Sequence, residues 1–205
     1  MGFLIHFTWG WICSFLGTLP FGTINVSIAE EAIQKGVRIA LFMSFGAAIV
    51  VFFHSYVALS FYNILANNPE VERSIIMWCI PVFFLIGLYY LFKKNNVAPK
   101  PYKKAATAIG IAKGFIVGSL NLIPIPYYVF IGGYLHNAGQ IKLAPEFIAA
   151  FSSGVLVGSF VVFAIYSKLG QYIRNKSEKL SAYASKIVGL IFIAIAISQA
   201  LRYYW

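Results

Sequence analysis

The chain has 205 residues, 60% of them hydrophobic and only 11% charged, with a formal net charge of +10. A soluble domain of this length carries about a quarter charged residues, so an ordinary soluble fold is excluded and nothing polar is long enough for a separate domain. Six Glu and no Asp leave little for acid–base chemistry, and two lone cysteines, Cys13 and Cys79, make neither a disulfide framework nor a metal-ligand spacing.

In chain order, apolar runs at 3–19, 40–65, 75–92, 115–135, 147–169 and 187–201 approach the ~20 residues that a spanning helix needs. They predict an all-α membrane protein with six transmembrane helices. The first run has no basic segment before it, since nothing ahead of Lys35 is Lys or Arg, and no small-residue cleavage site. It is expected to be retained rather than removed as a secretory signal.

The first run leads into the stretch Gly17-Thr-Leu-Pro-Phe-Gly-Thr-Ile-Asn25, and the fourth contains Gly118-Ser-Leu-Asn-Leu-Ile-Pro-Ile-Pro126. Proline and glycine interrupt the helical ladder and release backbone polar groups. In hydrocarbon those groups must be satisfied by protein or by a wet cavity. A helix that restarts there presents free N–H groups and a positive dipole end, which suits an anion. Two breaks in corresponding places of two chain halves are a sequence signature of a carrier's binding site. Pro20, Gly22, Thr23, Asn25, Asn121, Pro124 and Pro126 are therefore the candidate solute-binding residues. Thr23, Asn25 and Asn121 also suit helix N-caps. The competing reading is that the prolines only kink helices whose neighbours satisfy the backbone.

The second run carries His54, far in sequence from any charge, and Glu30 and Glu31 stand about two helical turns after the first break. Ionisable groups at membrane depth are candidates for proton coupling. Glu31 also has Lys35 at i+4, the spacing of an ordinary surface pair, and a histidine in a bundle can serve one interhelical hydrogen bond only. His6 and His136 fall near predicted helix ends and read as interfacial. Tyr127 and Tyr128 follow the second break, where they either line a cavity or pack.

Between the third and fourth runs lies the only long polar connection, residues 93–113, with six lysines. It reads as a basic cytoplasmic linker between three-helix halves at 1–92 and 114–205. Three being odd, the second half crosses in the opposite sense. Gly17-Thr-Leu-Pro then resembles Gly118-Ser-Leu-Asn, and Phe45-Gly46 resembles Ser153-Gly154. The expected fold is two inverted repeats with broken first and fourth helices, forming one membrane domain. Thirteen of the sixteen Lys and Arg fall on the linker side of this threading, and only Arg73, Lys142 and Arg202 on the other. That asymmetry predicts both termini outside. It assigns the basic charge to topology and anionic lipid rather than to nucleic acid. Trp9, Trp11, Trp78 and Trp205 fall near predicted outer ends, as an aromatic belt would.

No phosphate loop, nucleophile elbow or metal cluster is present in the sequence, so an enzyme reading has no support, and no cofactor is expected. At this point the residues resemble the LysE-type (lysine exporter) translocator family. Pro20-Phe-Gly22 stands at the family's Pro-Gly-Pro motif, Gly36-Val-Arg38 at the following loop and Gly46 in the second helix. Gly114-Phe115 leads to Asn121-Leu-Ile-Pro124 at its Asn-Pro-Lys motif. Phe21 and Gly22 depart from the first motif, the lysine of the second is absent, and Glu30 and Glu31 stand where many members have a basic or small polar residue. The resemblance implies a bacterial inner-membrane exporter of amino acids or related small solutes, driven by the proton motive force and often dimeric. The alternatives are a membrane scaffold or partner-binding subunit that moves nothing, and an exporter of a metal cation.

Overall fold

The first helix runs until proline forbids it. Residues 2–18 hold nothing that breaks a helix in hydrocarbon, and the chain leaves the helix at Leu19, ahead of Pro20, where a preceding residue is pushed out of the α region. The computed structural model describes residues 2–19, 22–66, 81, 84–85, 88–89, 91–92, 107–170, 190, 193–194 and 197. Among these are six helices: α1 Gly2–Thr18, α2 Thr23–Lys35, α3 Val37–Ala66, α4 Thr107–Leu120, α5 Pro124–Asn137 and α6 Pro145–Lys168. No strand occurs among the described residues. Pro20, and most of the predicted third and sixth spans at 75–92 and 187–201, lie outside the described residues. The chain divides into two units, 1–63 with 98–176, and 64–97 with 177–205. The described residues of the second unit are helical, and everything below concerns the first.

Helices α3 and α6 are each long and apolar enough to cross a membrane. At 1.5 Å per residue, the 30 residues of α3 reach about 45 Å, beyond the ~30 Å of hydrocarbon. Helices α1 and α2 meet at a 74° bend, and α4 and α5 at a 68° bend, and each bent pair counts as one further candidate span. Between α2 and α3 there is a single residue, Gly36, whose φ of +87° is left-handed. A Cβ there would be strained, and its N–H closes α2 on the Ala32 carbonyl at 3.0 Å. The fourth span begins earlier than hydropathy indicates. Helix α4 starts at Thr107, so the last seven residues of the polar stretch 93–113 are helical and Lys113 sits inside α4.

Glycines set which helices touch. A Cβ on Gly10 would run into the Phe151 carbonyl oxygen, one on Gly154 into that of Phe7, and one on Gly158 would lie 2.6 Å from that of Trp11. From Phe7 to Trp11 the contact moves from Gly154 to Gly158, so α1 and α6 run parallel with their backbones touching. Helices α3 and α4 do the same. A Cβ on Gly114 would meet the Met43 oxygen, one on Gly46 the Ile111 oxygen, and one on Gly110 would lie 2.9 Å from the Ile39 oxygen. Small residues allow this approach, and van der Waals contact then holds the pair where lipid offers no hydrophobic drive.

The two interfaces correspond residue by residue. Phe7 answers to Ile111 and Gly10 to Gly114, an offset of 104; Met43 answers to Phe151 and Gly46 to Gly154, an offset of 108. The same offsets map the Ser14–Gly158 approach onto Gly118–Val50. Gly46 therefore pairs with Gly154, but Gly118 pairs with Ser14, three residues from the Gly17 match that sequence likeness suggests. In this register Pro20 answers to Pro124. Across the bundle α3 and α6 are joined by the Ser44 and Ser167 hydroxyls at 2.9 Å and by Phe45 edge-on to Phe160.

Candidate functional site

Where α1 stops, its last carbonyls have no helical partner. Two side chains supply one each. The Asn25 amide donates to the Thr18 oxygen at 2.8 Å, and the Tyr166 hydroxyl of α6 donates to the Leu19 oxygen at 2.7 Å. Both residues are buried. Asn25 thus holds the end of α1 rather than capping α2. Helix α2 is capped by Gly22 in extended conformation, with no side-chain bond to its first N–H groups, and half-buried Gly22 and exposed Thr23 form its mouth.

The second break is built differently. Asn121 does not cap α5; the cap position belongs to Ile123, again without a side-chain bond, because Pro124 takes the first helical position with its fixed φ and missing N–H. Asn121 is half-buried, and its N–H returns to the Gly118 oxygen at 3.0 Å. Pro124 and Pro126 are half-buried in the first turn. At α2 the positive end of the dipole opens without a side-chain cap among the described residues, whereas at α5 two of the first residues are prolines without an N–H, and the N–H groups of Ile125 and Tyr127 return to the Leu122 and Ile123 oxygens.

Tyr127 joins the two breaks. Its hydroxyl donates to the Cys13 oxygen at 2.9 Å, and its ring lies over Gly17, where a Cβ would come within 2.8 Å of it. The start of α5 is thereby pinned to the last turns of α1. Tyr128 is buried beside it, edge-on to Phe151. Of the pair, Tyr127 ties the site together and Tyr128 packs.

Glu31 is not a surface residue. It is fully buried, and its carboxylate meets two ammonium groups: Lys35, one turn on at 2.8 Å, and Lys113 from α4. The Lys113 partner was not legible in the sequence, since it lies 82 residues away and belongs by composition to the linker. Glu30 is half-buried beside it. His54 is half-buried on α3, and its Nδ1 is buried without a hydrogen-bond partner among the described residues. Glu31 and His54 are not neighbours. Lys113 lies at the level of Met43, so the carboxylate cluster stands roughly 16 Å along α3 from His54. His6, expected at the interface, is buried: its Nε2 accepts the Lys142 N–H at 2.7 Å and its ring stacks on Phe147. The 138–144 connection reaches the start of α1 at His6. Among the described residues no three His, Cys, Asp or Glu side chains gather.

Removing one donor at the first break should be measurable. Tyr166→Phe leaves a buried carbonyl unsatisfied, so a stability loss of about 1–3 kcal/mol is expected in denaturant unfolding of the detergent-solubilised protein. An unchanged midpoint would show that Leu19 finds another donor.

Comparison with known proteins adds one finding. A family model described as LysE type translocator matches residues 15–202. No curated protein and no solved structure matches the chain.

Proposed function

The chain belongs to the LysE type translocator family, and from that premise we propose that it exports amino acids or related small solutes across a bacterial inner membrane, driven by the proton motive force. The observation that carries the reading is the pair of bends, 74° and 68°, whose restarting helices both open without side-chain caps. A solute carboxylate fits the uncapped start of α2, and the candidate contacts are Pro20, Gly22, Thr23 and Asn25 at that break and Asn121, Pro124 and Pro126 at the other. The matched α1–α6 and α3–α4 interfaces support inverted three-helix repeats at 1–92 and 114–205, related by exchange of the two breaks. Alternating access then rocks one helix pair against the other around the breaks. His54, or Glu30 with Glu31, carries the coupled proton. The charge asymmetry supports termini outside with 93–113 in the cytoplasm, and a homodimer in the lipid bilayer is the proposed assembly.

Counterflow in proteoliposomes tests this with a panel of amino acids. Asn121→Ala, Pro20→Leu and His54→Ala are each expected to slow exchange about tenfold or more, the scale of losing one well-placed polar contact or its geometry. Wild-type rates in all three would remove the breaks as the site.

One observation favours a second reading, a partner-binding subunit that moves nothing. The carbonyls at the first break are satisfied by Asn25 and Tyr166, as a packed structural kink would have them. Absence of counterflow for every solute in the wild-type protein would select it.

A further inference from the structure

We propose that Lys113, with Lys35 beside it, forms a receiving site for the solute's carboxylate, in which that carboxylate takes Lys113 over from Glu31 while Glu31 keeps Lys35. The inference rests on the reading of the chain as a translocator of carboxylate-bearing solutes. It adds a site away from the breaks, at the place where α2 and α4 meet.

The Glu31 carboxylate meets two ammonium groups. A single ammonium is enough to pair a buried carboxylate, so the second is surplus. The surplus one faces outward: the Lys113 side chain is 40% exposed, against 19% for Lys35 and none for Glu31. An arriving carboxylate therefore meets Lys113 from its open side. Removing a lone partner from a buried charge is strongly unfavourable, but exchanging one carboxylate for another at the same ammonium strands nothing, provided Glu31 retains Lys35. This accounts for two lysines on one glutamate. The ammonium head, with three donors and no fixed fork, passes between acceptors without a change of geometry.

Lys113 is also held in place. Its neighbour Gly114 lies against the Met43 carbonyl, so the α4 backbone is fixed to α3 at this level. Lys35, in the last turn of α2 before Gly36, keeps Glu31 whichever carboxylate Lys113 holds. Because the Glu31–Lys113 bridge ties α2 to α4, carboxylate capture also unties them. Binding of the solute and release of one interhelical link become the same event.

The test uses the purified full-length protein in detergent, with acetate and glycine as probes and methylammonium and chloride as controls, read by ligand-induced shifts of the melting temperature over a concentration series. Saturable binding of acetate and glycine is expected, with neither control reproducing it. Lys113→Met should weaken acetate by about tenfold or more, the loss of one charge-assisted hydrogen bond. Lys113→Arg should stay within about threefold, since the charge remains. Glu31→Gln should tighten acetate, because the competing carboxylate is gone. Acetate binding indifferent to Lys113→Met, weakened by Glu31→Gln, or matched by chloride would overturn the site. Lys113→Met leaves Glu31 its Lys35 partner and so is not expected to unfold the protein. Should it do so, the opposite-signed Glu31→Gln result still decides. If counterflow is absent while the acetate pattern holds, the transport reading fails and the site stands; if counterflow persists while acetate ignores Lys113, the site alone fails.

Discussion

Replacing Lys35 and Lys113 together with methionine is expected to destabilise the protein by more than the two single replacements combined, and adding Glu31→Gln is expected to recover most of the loss. Each single change leaves Glu31 one ammonium. The Lys113 side chain is 40% exposed, so water already screens its pair, and its loss should cost about 1 kcal/mol. Lys35 is less exposed at 19%, and its loss should be somewhat larger. The double change strands a carboxylate with no solvent exposure, where an unpaired charge costs about 3–5 kcal/mol. Such a shared partner makes the effects non-additive. The neutral Gln fills the same volume without the charge. Urea unfolding of the wild type, the two single variants, the double and the triple in a mild detergent measures the cycle. Additive losses, or a triple variant no better than the double, would mean that Glu31 finds solvent or another partner.

The second large effect is expected at the helix contacts. Gly10→Ala, Gly114→Ala and Gly154→Ala each place a methyl group against a backbone carbonyl oxygen, of Phe151, Met43 and Phe7 respectively. A side chain can rotate away from an added atom, but a carbonyl inside a helix cannot. The helix pair must separate, and losses at or above the usual 1–3 kcal/mol of overpacking follow. Gly118→Ala is the control. Its nearest neighbour is the Val50 Cβ at 3.0 Å, a less close approach than those to the carbonyl oxygens, and a smaller loss is expected. Gly10→Ala and Gly114→Ala occupy corresponding positions and should lose similar stability. Thermal unfolding with size-exclusion profiles reads all four, and a Gly118→Ala loss equal to the others would contradict the ranking.

These two sites also mark where sequence reading reaches and where it stops. The breaks were visible because Gly and Pro act through local backbone geometry, which needs no knowledge of neighbours. Helix boundaries were less so. A hydropathy run starting at Phe115 leaves out Lys113, although α4 continues back to Thr107. Its charge looks like linker until the Glu31 carboxylate is known to wait across the gap. Tyr166 reads as one more core aromatic in α6, because nothing local reveals that its hydroxyl reaches Leu19, 147 residues away. The correspondence of contacts departs by three residues from the sequence likeness for a related reason. Gly17 and Gly118 look alike, yet Gly17 lies under Tyr127 whereas Gly118 lies against α3. The glycines at 10, 46, 114 and 154 held the better signal, as positions of contact rather than of bending. Asn121 failed as a cap because Pro124 claims the first helical turn.

The parallel pairing of α1 with α6 has a meaning in time. The Phe151 carbonyl that Gly10 packs against is made 141 residues after it. At ~5–20 residues per second of synthesis, α1 waits roughly 7–30 seconds for its partner. During that interval its glycine face has only lipid, the translocation machinery or another nascent chain to touch. Among the described residues, the glycine contacts of α1 and of α3 are both completed by helices made later in the chain, α6 and α4. Two separately expressed halves should therefore be degraded alone and persist together.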